Sequence, residues 1–320
     1  MGERSDRQVR ASSDPMYGTI APTDYDWYAF LAQEPSRDEV NFWRPSASRP
    51  FKGQEFSPFL FKLKKPHNAI CGFGYFARYS ALPTWLAWET FGRANGCPTQ
   101  STMTNRIQQL REGMNFRGGS LTDHVGCILL VSVTFFSPPD WVPQPTDWHR
   151  TTLGPTRYDL ANGEGRRVWE ACLERSGKQP LPVVNESPRF GSPQTVHPRL
   201  GQGTFRVAVT DAYCRSCAIT GEHSLPALEA GHIRPYAQDG PHEVSNGLLL
   251  RADFHRLFDQ GYVTVTPDLR LNVSPRLRAD YSNGRTYYPF HNALITPPSD
   301  ARYQPSPTFL EWHINRVYKA

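Results

Sequence analysis

The apolar positions of this chain change period several times, and each change marks an element. Residues 16–20 form a short apolar run that predicts a strand. Thr23-Asp24-Tyr25-Asp26 reads as a capping box opening a short helix with Trp27, Phe30 and Leu31 on its apolar side. Asn41-Phe42-Trp43-Arg44 is a brief extended segment stopped by Pro45. Residues 59–64 alternate apolar and basic side chains, and residues 69–79 are aromatic and interrupted by glycine, so the two are predicted neighbours in a curved sheet. Helical spacing returns at 82–91 and 102–111. Residues 124–136, the longest apolar stretch, are rich in Val and Ile and predict a buried central strand. A proline-rich aromatic loop (138–155) and a helix (163–175) follow.

Residues 1–15 have the polar composition of a disordered tail, and residues 176–203, with Pro180, Pro182, Pro188, Pro193 and Pro198 among Gly, Ser and Asn, that of a linker. Two units are therefore expected, at 16–175 and 204–320. The second opens on an amphipathic helix (204–213) with Phe205, Val209, Ala212 and Tyr213 inward. A strand ending in His232, a turn-rich loop (237–245), an apolar run (247–250) and a helix carrying His255 come next. A hairpin about Pro267-Asp268-Leu269 comes after that, and no internal repeat is visible. The predicted class is α+β: a small curved β-barrel with inserted helices, then a compact ββα unit.

Composition narrows the function only a little. At 320 residues, 38% hydrophobic and 12% aromatic, the chain can bury two cores and is not globally disordered. No apolar run reaches the about 18 residues of a membrane helix, and the basic N-terminus lacks the apolar core of a signal peptide, so a cytoplasmic protein is expected. The net charge of +5 allows nucleic-acid binding without requiring it. Arg far outnumbers Lys, which suits bidentate phosphate contacts and equally suits a GC-rich coding bias. Six scattered cysteines in a chain without an export signal read as reduced thiols.

The candidate chemistry lies between residues 228 and 259. His232 at a strand end is the candidate general base, because an imidazole titrates near neutral pH and the strand fixes its direction. His255 is the candidate ligand for a divalent cation, with Asp259 one turn on as an acceptor that could orient its ring. Either histidine alone would read as structural. Asn246, fourteen residues after His232, and His255, nine residues further, turn the pair toward metal-assisted phosphodiester hydrolysis. Arg234, Arg251 and Arg256 are candidates for phosphate contacts.

His232-Ile233-Arg234-Pro235, Asn246 and His255 in this spacing resemble the HNH, or ββα-metal, nuclease motif. Cys217-Ala218-Ile219-Thr220-Gly221 and residues 248–259 resemble its bacterial restriction-endonuclease branch. The resemblance implies that Asn246 either orders the loop that steers the base or touches the metal, although Asn-Gly is also an ordinary turn. Many relatives carry an Asp or His immediately before the base as a second metal ligand, whereas this chain has Gly231. By alternation Glu229 faces away from His232 and replaces that ligand poorly. Few protein ligands favour hydrated Mg²⁺ or Mn²⁺. Cys214-Arg215-Ser216-Cys217 resembles half of a zinc knuckle, but Arg251 and Phe254 stand where the second cysteine pair would be, so no structural zinc is expected.

A second resemblance covers residues 15–175. Tyr17 to Trp27, Asn41 to Ser46 and Phe59 to Lys64 are similar to PUA-like domains of the EVE or SRA-like type that precede HNH domains in modification-dependent restriction enzymes. It implies a reader that flips a modified cytosine, 5-methylcytosine or 5-hydroxymethylcytosine, out of duplex DNA and stacks it on aromatic rings. Trp43, Phe42, Tyr25 and Tyr75, with Trp27 and Phe73 beside them, are candidates for stacking, and Asp24 for the base edge. The whole then reads as an endonuclease of modified double-stranded DNA, leaving 5′-phosphate and 3′-hydroxyl ends, with no membrane partner. One nuclease site per chain implies a homodimer for double-strand cleavage. Two alternatives stay open: a nuclease whose first domain reads unmodified sequence or phosphorothioate DNA, and a reader that does not cleave, with Gly231 marking a decayed site.

Overall fold

The computed structural model describes residues 16–35, 38–113, 124–177 and 200–320. The predicted tail and most of the predicted linker lie outside them. The N-terminal part runs β1 (Tyr17–Thr23), α1 (Tyr25–Gln33), β2 (Glu39–Arg44), β3 (Pro58–Leu63), β4 (Ala69–Pro83), α2 (Thr84–Phe91), α3 (Gln100–Gly113), β5 (His124–Phe135), β6 (Val142–Pro143), β7 (Thr156–Asp159) and α4 (Gly163–Ser176). The strands build one mixed sheet in the order β2-β5-β4-β3-β1-β7, with β6 on the edge of β4. β1 and β3 are parallel, and the other pairs are antiparallel.

Register shifts between Phe73 and Tyr75, and between Phe76 and Arg78, curl β4 against β5. Gly72 is required there: its φ is +155°, and a Cβ would lie 2.3 Å from the Thr134 carbonyl oxygen. The α+β class and the curvature are as predicted. The barrel is not: among the described residues the path ends at β2 and β7, and no pairing closes it. The capping box is also absent. Asp24 is itself the N-cap of α1 and makes no side-chain cap bond, because its carboxylate pairs with Lys64 Nζ at 2.7 Å. The Thr23 hydroxyl instead donates to the Ala21 carbonyl.

The C-terminal part runs α5 (Gln202–Ala212), β8 (Leu228–His232), β9 (Gly247–Arg251), α6 (Ala252–Asp259), β10 (Val263–Val265), β11 (Leu271–Val273), α7 (Arg276–Tyr281) and α8 (Pro307–Arg316). β8 and β9 pair antiparallel without a bulge, from Leu228 opposite Arg251 to His232 opposite Gly247. Leu248, Leu249 and Leu250 of β9 pack with Phe254 and Phe258 of α6 and with Phe205 and Val209 of α5 in one buried cluster. β10 and β11 form the predicted hairpin.

α5 departs from the predicted one-sided amphipathic helix, because it is buried on two sides. Phe205 and Val209 belong to the C-terminal cluster, while Val207 packs with Leu86, Phe91, Met103 and Leu129 of the N-terminal part. Its first turn is held by Glu39 of β2. The carboxylate accepts from Gly203 N and Thr204 N, both at 2.7 Å, and from the Thr204 hydroxyl at 2.6 Å. These satisfy backbone donors that no helical carbonyl can reach, and they put a negative charge at the positive end of the helix. The approach needs glycine, since a Cβ on Gly201 would meet Glu39 Cδ at 2.3 Å.

Changing Glu39 to Ala leaves those amides without a partner and is expected to cost about 1–3 kcal/mol. The urea midpoint should fall accordingly, and an unchanged midpoint would show that the contact contributes nothing to stability.

Candidate active site

Alternation along β8 places Glu229 and Gly231 toward α6. Nδ1 of His255 lies 2.6 Å from Glu229 Oε2, so that nitrogen carries the hydrogen and the carboxylate accepts it. The lone pair is thereby left on Nε2, which stands 3.5 Å from Asp259 Oδ2. Burial raises the Asp259 carboxyl above its ordinary pKa, with the Glu229 charge adding and His255 opposing, although 53% of the side chain is exposed. Glu229 lies on the strand face opposite His232, as alternation predicts, and it is this residue that orients the His255 ring; Asp259, read from sequence as the orienting acceptor, sits beside the outward nitrogen instead.

Gly231 is explained by the same packing. A Cβ at this position would fall 2.5 Å from His255 Cδ2 and 2.7 Å from Nε2. The space a side chain at 231 would need is filled by the Cδ2–Nε2 edge of His255.

His232, one residue on, points to the other side of the strand end. Its ring lies flat on Phe205 of α5, with centroids 3.9 Å apart and planes inclined by 10°. Its Nε2 is 2.9 Å from Nδ1 of His242, whose own ring stacks on Tyr236. Burial first, and then the neighbouring His242 and His255, together lower the His232 pKa to about 4. The imidazole is therefore neutral near pH 7 and able to accept a proton, an ability lost only as the pH falls through about 4.

Asn246 is fully buried. Its Oδ1 accepts from Arg234 N, and its Nδ2 donates to the carbonyls of Arg234 and Pro241, all at 2.9 Å. Of the two roles open to it, it fills that of loop organiser. The metal-ligand assignment is corrected, because the amide oxygen is taken and lies out of solvent.

The arginines separate in the same way. Arg251 forks onto Asp253 at 2.7 and 2.8 Å, so its guanidinium is not available to phosphate as predicted. Arg234 donates to the Gln238 carbonyl at 2.6 Å and lies over Trp312. Arg256 is exposed beside Tyr281 and Tyr287. Cys217 is buried and its sulfur accepts from Arg251 N, whereas Cys214 is exposed. Among the described residues no group of three or more His, Cys, Asp or Glu is placed to hold a metal.

In the N-terminal part, Asp24, Phe42 and Trp43 do meet on one cavity of about 660 Å³, with Trp27 and the cations Arg44, Lys64 and Arg106. The Trp43 indole N–H donates to the Asn95 carbonyl at 2.9 Å, which fixes the ring at the wall. Three predicted members are elsewhere, and Phe73 is one of them, fully buried in the core. Tyr75 is 2% exposed and packs edge-on to Phe73 and Trp169 in the core. Tyr25 stacks on His67 and does not line the cavity. The basic rim, Phe205 and His242 are absent from the sequence-based site, and His242 sits in a turn-rich loop with no periodicity to mark it.

A strand-end imidazole, a helix imidazole with a carboxylate beside its outward nitrogen, and a buried Asn closing the loop between them make up the candidate site. Residues 217–266 match the family model described as HNH endonuclease, so the C-terminal part carries an HNH nuclease domain. Among solved structures, ASCH from Zymomonas mobilis aligns at 11% identity and a TM-score of 0.34, over 48% of this chain and 94% of that one. A structure titled as a modification-dependent TagI restriction endonuclease aligns at 13% identity and a TM-score of 0.28, over 94% of this chain and 81% of that one. No curated protein matches.

Replacing Gly231 with Ala adds one methyl group and removes no ligand, yet it must push His255 off its present position. Mn²⁺ affinity, measured by calorimetric titration, should fall about tenfold or more with the melting temperature little changed. Unchanged affinity would dissociate His255 from the metal.

Proposed function

We propose that this chain is a modification-dependent DNA endonuclease. Residues 16–175 form a PUA-like reader of modified cytosine, 5-methylcytosine or 5-hydroxymethylcytosine, and residues 204–320 hydrolyse the phosphodiester backbone, with 176–203 joining them. The observation that carries the reading is the pair of imidazoles at one strand end: a neutral His232 on one side, and His255 with its Nε2 open beside Asp259 on the other. The N-terminal cavity supports the reader, since 660 Å³ between Trp43, Phe42 and cationic side chains suits a flipped base and its phosphate.

His255 Nε2 and the Asp259 carboxylate fit a hard divalent cation, Mg²⁺ or Mn²⁺, with water and substrate oxygen completing the shell. When bound, such an ion polarises the scissile phosphate and stabilises the charge on the departing oxygen. Glu229 keeps the His255 lone pair on Nε2. His232 takes a proton from water as its oxygen attacks phosphorus. Asn246 holds the loop that carries the base's neighbours, and Arg234 and Arg256 are left to meet the backbone. Asp24, tied to Lys64, would present a carboxylate-ammonium pair to the base edge. Cleavage of both strands requires two such sites, hence a homodimer acting in the cytoplasm. Cys217 serves the core, and no zinc is part of the reading. Gly231, which alone would favour a decayed site, is accounted for by the His255 ring.

Plasmids matched except for methylated or hydroxymethylated cytosine, digested with Mg²⁺ or Mn²⁺, test both halves. Only modified DNA should be cut. His232→Ala should lose about 10²–10⁴-fold in rate while retaining DNA binding, and Trp43→Ala should lower affinity for modified DNA by about tenfold, one base stack of 1–3 kcal/mol. Equal cutting of both plasmids would remove the reader, and wild-type cleavage by His232→Ala would remove the base.

A further inference from the structure

His242 is not part of the three-residue motif, and the chemistry described so far does not use it. It stands between β8 and β9 with Nδ1 2.9 Å from Nε2 of His232 and its ring inclined by 62° to that ring. Both rings are held from outside: Phe205 lies flat on His232 at 3.9 Å, and Tyr236 lies flat on His242 at 4.6 Å. The residue before His242 is pinned as well, since the Pro241 carbonyl accepts from buried Asn246. Such a pair of rings is built to share one hydrogen bond.

Two neutral imidazoles in this contact need one hydrogen, carried by one of the two facing nitrogens. With the hydrogen on His242 Nδ1, the His232 Nε2 lone pair is used in accepting it, and the remaining hydrogen of His232 occupies its own Nδ1. Neither nitrogen can then act as a base. With the hydrogen on His232 Nε2, His242 accepts it and the lone pair stays on Nδ1 of His232. Among the described residues no protein hydrogen bond reaches that atom.

We propose that His242 is a positioning residue that accepts the Nε2 hydrogen of His232 and so selects the tautomer whose Nδ1 takes the proton from the attacking water. The proposal rests on His232 being the general base. In the step, an O–H bond of water breaks and an Nδ1–H bond forms, while the oxygen electron pair makes the new P–O bond. The bond to the 3′-oxygen breaks, and that oxygen leaves with its electrons and is protonated by solvent. The positive charge gained by His232 is shared through Nε2–H···Nδ1 with His242, much as an acceptor behind any base histidine stabilises its imidazolium.

The test uses the full chain, modified plasmid and saturating Mn²⁺, with His232→Ala as control. His242→Phe keeps a ring for Tyr236 and Phe205 but has no acceptor, whereas His242→Asn retains a carbonyl oxygen near the Nδ1 position. Expected are a loss of about 10–100-fold in kcat for His242→Phe, with KM and Mn²⁺ affinity within about twofold, and recovery of most of that loss in His242→Asn. ¹⁵N spectra of histidine-labelled protein, assigned by the variants, should show His232 protonated at Nε2 and bare at Nδ1. A His242→Phe enzyme as fast as wild type or faster, or a His232 ring protonated at Nδ1, would overturn the proposal. Wild-type cleavage by His232→Ala would instead overturn the base assignment beneath it.

Discussion

Successive side chains of a β-strand leave it on opposite faces, and the five residues of β8 use that constraint to keep the surroundings of two histidines apart. Its pairing with β9 runs without a bulge from Leu228 to His232, so the faces do not drift. Glu229 and Gly231 face α6, where one holds the His255 ring and the other makes room for it. His232 faces α5, where Phe205 covers its ring and His242 meets its edge. A one-residue slip would put His232 against α6 and Glu229 against Phe205, and neither group would keep its partners. Asn246 guards against the slip by tying Arg234 and Pro241 together across the loop.

The position of His232 also depends on an element that is not local to the motif. Phe205 belongs to α5, whose first amides are held by Glu39 at the start of β2, while Phe42 and Trp43 near the end of that strand line the N-terminal cavity. Two more contacts fix α5 and its C-terminal turn to the N-terminal part: Arg206 to Glu89 at 2.7 Å, and Arg215 to the Ala81 carbonyl at 2.6 Å. Rotation of α5 about its axis is opposed from both sides, because Val207 fills one cluster and Phe205 the other. The aromatic face behind His232 is therefore held by packing from both parts of the chain.

Much of this was legible in the sequence. Hydrophobic period distinguishes strand from helix wherever one face is buried, so the strand-loop-strand-helix order around His232 and His255, the hairpin about Pro267 and the long strand β5 follow from spacing alone. Period does not say which partner a polar group finds. Glu229, Asp259 and Arg251 were each read from sequence neighbours, and each is decided by packing: Glu229 by a helix 26 residues away, Arg251 by the strand-to-helix turn that brings Asp253 onto its fork. Tyr75 lies in the core because it shares a face of β4 with Phe73 and packs there against Trp169, a burial no aromatic count can register. The pairing of His242 with His232 could not be read from sequence, since loops carry no period and the partner is ten residues back.

The central claim is that metal holding and proton removal occupy opposite faces of one strand end and are separable. Mn²⁺ binding measured by electron paramagnetic resonance on the wild type, His255→Ala, Asp259→Asn and His232→Ala tests it most directly. One ion per chain is expected, weakened about tenfold or more in the His255 and Asp259 variants and unchanged in the His232 variant, even though the latter does not cleave. Equal loss of Mn²⁺ in His232→Ala and His255→Ala would contradict the account, because both imidazoles would then belong to the metal.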